Sequence, residues 1–201
     1  MQDPKPISAD ERAKRIERLR SIGIIEIPST VPKLKLHGRE IRIGRSEHQK
    51  NYYDVTVKSL DHLKLLVGNA DRSLETNDKR NFVPYPMDAC EVPDGALDDF
   101  TKLSRLEQAA VLKAAKNIVY GHSRALAFSE SQFKNLTDWI LKHGGTIPVL
   151  QSTELEVPDG TTVTFTDAGV LRFDVVTVHG SGSIRFEKPM KVIVDDMRVV
   201  P

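Results

Sequence analysis

Apolar and polar positions follow two different rhythms along this chain. Ala9, Ala13, Ile16, Leu19 and Ile22 recur at spacings of 4, 3, 3 and 3, which places them on one stripe of a helix. Ser8-Ala-Asp-Glu11 precedes the stripe as a capping box, hydroxyl and carboxylate satisfying each other's backbone N–H groups, and Gly23 supplies the stop. Ser104-Arg-Leu-Glu107 opens a second helix through Leu106, Ala109, Ala110, Ala114 and Ala115. Ser129-Glu-Ser-Gln132 opens a third with Phe133, Leu136 and Ile140 on one face; Lys142 and His143 sit at its negative end, and Gly144-Gly145 closes it.

Elsewhere the period is two. Leu34, Leu36, Ile41 and Ile43 flank His37-Gly38-Arg39-Glu40 in the pattern of a hairpin, and Val55 and Val57 predict a third short strand. The stretch 60–67 fits neither period cleanly. Residues 68–100 are rich in Asn, Asp, Pro and charge, with turn sequences at Val83-Pro-Tyr-Pro86 and Val92-Pro-Asp-Gly95, and read as an irregular linker or loop. After Pro148, alternating pairs follow one another: Leu155/Val157, Val163/Phe165, Leu171/Phe173, Val176/Val178, Ile184/Phe186 and Val192/Val194. They begin 8, 8, 5, 8 and 8 residues apart, with Gly-bearing turns at Pro158-Asp-Gly160, Asp167-Ala-Gly169 and Gly180-Ser-Gly182. Such short strands predict an antiparallel meander folded into a β-sandwich, with a short β-solenoid as the alternative. The sandwich is preferred because a solenoid stack needs end caps, and no capping segment stands out. Glu-Val-Pro-Asp-Gly occurs at both 91–95 and 156–160 without matching flanks, which reads as repeated turn chemistry.

The expected class is therefore α+β: an N-terminal helix and small sheet (1–67), an irregular segment (68–100), a helical pair (101–147) and a C-terminal β-module (148–201). Composition changes this picture little. Of 201 residues, 39% are hydrophobic and 28% charged, and the net charge is +1, so no whole-molecule field draws the chain to nucleic acid or an anionic membrane. Cys90 is the only cysteine, which excludes an internal disulfide and a Cys-based zinc cage. The polar start Met1-Gln-Asp-Pro-Lys-Pro6 lacks the apolar core of a secretory signal, and no apolar run approaches a membrane span, so a cytoplasmic protein without a membrane partner is expected.

Charge is uneven along the chain. Residues 33–58 hold seven Lys/Arg against three acids, whereas residues 151–201 hold five basic and eight acidic residues. Arg39, Arg42, Arg45, Tyr52 and Tyr53 in the basic stretch are candidates for binding an anionic ligand or a nucleic acid. No RRM, KH or helix-turn-helix pattern accompanies them, which argues against nucleic acid.

Gly121-His122-Ser123-Arg124-Ala125 resembles a nucleophile elbow, with His143 or His179 as the base of a serine hydrolase. Its context is wrong, since an elbow ends a buried strand and this one follows an alanine-rich helix; read as structure, Gly121 is a helix C-cap. No two of the six histidines stand at i, i+3 or i, i+4, so no metal site or cofactor is expected. Asp195-Asp196 reads as a charged strand edge. These observations lean away from an enzyme and toward a structural or interaction protein. It is expected to be a homo-oligomer or assembly component that self-associates through the β-module, the basic stretch of one copy meeting the acidic module of the next.

Overall fold

The computed structural model describes residues 8–24, 31, 33–34, 36–67, 92, 97–121 and 129–201. Within them the protein is α+β, with four α-helices and two sheets and no closed barrel. The chain divides into two compact units, Met1–Thr56 with Ile147–Pro201, and Val57–Thr146.

All three capping boxes form. Helix α1 (Ala9–Ser21) is capped by Ser8 and Glu11, α3 (Arg105–Tyr120) by Ser104 and Glu107, and α4 (Glu130–His143) by Ser129 and Gln132. The ambiguous stretch 60–67 is helix α2 (Leu60–Val67). In the Val57–Thr146 unit, α2 packs on α3 and α3 on α4. The buried stripe of α3 is Val111, Ala114 and Ile118, while Leu106 and Ala109 of the expected stripe face solvent. Gly121 is the C-cap of α3, and the fully buried Lys64 Nζ donates to its carbonyl at 2.7 Å. That places a cation at the negative end of the helix dipole.

The other unit departs from expectation in its pairing. The strands are β1 (Glu40–Ile43), β2 (Tyr52–Thr56), β3 (Thr146–Val157), β4 (Thr162–Phe165), β5 (Val170–His179), β6 (Ser183–Phe186) and β7 (Lys191–Val200). They form a β1-β4-β6 sheet and a β2-β3-β5-β7 sheet. The ladders β1–β4, β4–β6, β3–β5 and β5–β7 are all parallel, so the antiparallel meander is corrected. The hairpin at 34–43 is corrected too: β1 pairs with β4, and Leu34 and Leu36 stand outside any strand. The small sheet expected within 1–67 is thus part of the sheets of the C-terminal module.

The physical reason is a repeat. Val149 pairs with Val170 and Val170 with Lys191; Thr162 pairs with Ser183. Each partner lies 21 residues on. Parallel neighbours need a connection of about a dozen residues or more, and a chain alternating between two sheets supplies one. The two long ladders skip Thr153, Asp174 and Asp195, a column of corners that divides each long strand into two straight halves. With the short strands, every coil has three sides, and its inward rows form the core around Leu155, Phe165, Leu171, Phe173 and Val176.

Turns stack as the strands do. The Asp159 carboxylate accepts from the Ser181 N–H at 2.7 Å and the Ser181 hydroxyl at 2.8 Å, tying one turn to the equivalent turn of the next coil. Gly180, at φ +50, faces that carboxylate so closely that a Cβ would collide with it. Helix α1 runs alongside. Arg15 reaches the Val194 carbonyl on β7 at 2.6 Å, and Gly23 lies against Val55 on β2. Arg15 and Gly23 thus tie α1 and the turn that follows it to the last and first strands of the β2-β3-β5-β7 sheet.

Gly180→Ala is expected to cost about 1–3 kcal/mol through its left-handed backbone and the clash with Asp159, read as a lower urea midpoint; an unchanged midpoint would contradict the stacked turn. The Ser181 N–H, then its hydroxyl, hold the Asp159 carboxyl below its ordinary value. Its contribution is present above the unfolded aspartate pKa of about 3.9 and is lost as pH falls through the lower folded value. The stability gap between the protein and Asp159→Asn is therefore expected to narrow on acidification below about pH 4; a gap independent of pH would contradict the assignment.

Candidate functional site

The two ends of the coil differ. At the first coil, Ile43 on β1 is buried in one core with Leu34 from the segment before β1, and Val55 on β2 is buried beside Gly23. At the last coil, the side chains continuing the inward rows are exposed, and no described strand pairs beyond them. Register places Phe186 over Phe165, Val192 over Leu171, Met197 over Val176 and Val199 over Val178. The lower member of each pair is at most 9% exposed, whereas Phe186 is 48%, Val192 46%, Met197 57% and Val199 73% exposed. Together they rim a basin of about 550 Å³ with an apolar floor.

Both strands at this end are terminal in their sheets, β6 in one and β7 in the other. Lys191 N–H donates to Gly169 and Val200 C=O accepts from Gly180, so these residues direct their main chain toward β5. Alternation then turns the main-chain groups of Val192, Val194, Met197 and Val199 away from it. The Val194 carbonyl is taken by Arg15.

A charged corner braces this edge. Arg172, only 5% exposed at its side chain, bonds Asp195 at 2.7 Å and Asp174 at 3.1 Å. Arg15 meets the same Asp195 at 3.3 Å. A cation buried this deeply needs its partners, so α1, β5 and β7 are held through one aspartate. On the outward side of β7, Arg198 Nε donates to Asp196 at 2.8 Å.

The residues singled out by sequence fall elsewhere. Ser123 lies outside the described residues. His143 stacks on Trp139, ring centroids 4.5 Å apart, with Nδ1 2.8 Å from the Trp139 carbonyl oxygen. His179 Nε2 sits 3.1 Å from Glu156 on the outer surface of the coil. Arg42 pairs with Glu187, and Arg45 grips Asp54 through two bonds of 3.0 and 2.8 Å. Arg39 is exposed and Tyr53 half-buried. Arg42 also lines a groove of about 430 Å³ on the outer face of β1-β4-β6, where Glu40 and Glu187 accompany Arg42 and Arg185. Such a groove has no single sign of charge to offer an anion. The Tyr52 hydroxyl is buried without a partner, its pKa pushed up to about 12, first by burial and then by the Asp167 carboxylate. Among the described residues no three His, Cys, Asp or Glu side chains gather as a metal would require, and no helix is long and apolar enough to cross a membrane.

Compared with known proteins, the chain matches no family model, no curated protein and no solved structure. The site residues that sequence reasoning passed over are Phe186, Met197 and Val199. Their signal was the sequence 8, 8, 5 in the strand steps, which amounts to one coil.

Asp195→Ala removes the bonds to both Arg172 and Arg15. It is expected to destabilise the unit by about 1.5–3 kcal/mol, measured by denaturant unfolding; a loss under 0.5 kcal/mol, the size of an ordinary surface change, would contradict the bracing role.

Proposed function

We propose that this is a non-catalytic structural or interaction protein that associates with copies of itself through the open end of its β-module. The observation that carries the reading is the contrast between the ends: inward side chains are buried at the first coil and exposed at the last. Full burial of a side chain such as Val, Phe or Met stabilises by about 1.5–3 kcal/mol, so four of them in one basin are a strong drive toward association. Terminal strands with free main-chain groups are also templates for pairing with another chain.

The opposed charges along the sequence serve another purpose. Lys33 pairs with Glu154 and Arg42 with Glu187, so the basic stretch meets the acidic module within one chain. Association is therefore driven by apolar burial and strand pairing, and raising salt is not expected to dissolve it.

Light scattering across a concentration series tests the reading. The full chain is expected to exceed the mass of one chain, and Met197→Glu, which sets a charge on the rim of the basin, is expected to weaken association at least tenfold. A native chain that stays at single-chain mass at the highest attainable concentration would refute it.

A further inference from the structure

The partner that fits this end is a second copy presenting the same end. We propose that two chains meet about a two-fold axis, β7 running antiparallel to β7 of the other copy, to make a closed dimer. The inference rests on the self-association argued above and gives it a geometry.

Four observations lead there. First, a head-to-tail stack requires an open acceptor, and at the first coil Ile43 is fully buried in one core with Leu34. The open end can satisfy its apolar rows on a like end, and an isologous contact of that kind closes after two copies.

Second, the main chain fixes where the axis can pass. In an antiparallel ladder, two residues directly opposite exchange both N–H···O bonds only if each directs both groups at the other. Past the corner at Asp195, the residues of β7 that point away from β5 are Met197 and Val199, so the axis passes through one of these exchanging pairs or through a non-hydrogen-bonded pair beside them, at Asp196 or Arg198.

Third, charge selects among them: an axis through Asp196 or Arg198 sets like charges directly opposite each other. With Met197 opposite its counterpart on the axis, Asp196 of each chain lies across from Arg198 of the other, on the outward side where both already sit. Opposite charges directly across a ladder are favourable, and like charges are not. Centring on Val199 instead sets Arg198 against the apolar Val200.

Fourth, the inward rows then meet. Met197 and Val199 close over the equivalent rows of the other copy, and two basins become one enclosed core.

The test uses the full chain carrying Cys90→Ser. Mass is expected to plateau at two chains. Met197→Cys in that background is expected to form a covalent dimer under mild oxidation, because directly opposed residues of such a pair stand ~5.5 Å apart at Cα, within disulfide reach. Asp196→Arg is expected to weaken the dimer at least tenfold, and Asp196→Arg with Arg198→Asp to restore most of the loss. The cysteine variant adds no charge and carries the test if the charge variants fold poorly. A mass that climbs with concentration without a plateau overturns the two-fold closure while leaving self-association standing. Two-chain mass without the disulfide, or a double variant as weak as the single, overturns the proposed register. Single-chain mass throughout overturns both readings.

Discussion

Parallel pairing obliges every strand of the β-module to lie beside one a whole coil away, and the 21-residue step is what makes that possible. Once the step is set, inward side chains stack on inward side chains, Phe165 on Phe186 and Leu155 on Val176. Turns stack on turns, so that Asp159 finds Ser181, and corners stack on corners, so that Arg172 can hold Asp174 and Asp195 together. A one-residue slip would turn an entire row from core to solvent. Helix α1 and the turn that follows it exploit the same regularity, with ties to the last and first strands of the β2-β3-β5-β7 sheet.

The same step explains why the last coil exposes its inward row. A coil is covered only by its neighbour, so a stack has two ends that need separate treatment. At one end Ile43 is buried in one core with Leu34; at the other the rows of Val192, Met197 and Val199 are exposed to solvent. The chain's chemistry points the same way. The carboxylates and guanidiniums that could have formed a polar site are spent on one another, Arg45 on Asp54 and Arg42 on Glu187.

Local structure was legible from the sequence, and long-range pairing was not. Ser8, Ser104 and Ser129 with their partners three residues on marked helix starts correctly, because capping depends only on adjacent residues. The alternation of Val163/Phe165 and Leu171/Phe173 likewise identified strands and their buried faces. What alternation lacks is any statement of which strand lies beside which. Steps of 8, 8 and 5 look like a meander if each strand pairs with the next, and like a solenoid if it pairs with the third one on. The decisive detail was the 5, which recurs as the corner at Asp174. The union of β1 with β4 joins residues 122 apart, and only the complementary charges of Lys33 and Glu154 hinted at it. The rim residues Met197 and Val199 were hidden for the same reason, since their exposure is a property of the stack.

Hydrogen exchange of β7 as a function of protein concentration probes the open end without altering a side chain. The main-chain N–H groups of Met197 and Val199 face away from β5, where no described strand accepts them, so in dilute protein they are expected to exchange rapidly. As concentration rises they are expected to slow together, while the outward-facing Arg42 and Thr164 on the opposite sheet stay unchanged. Exchange at Met197 and Val199 that remains fast at every concentration would contradict the account.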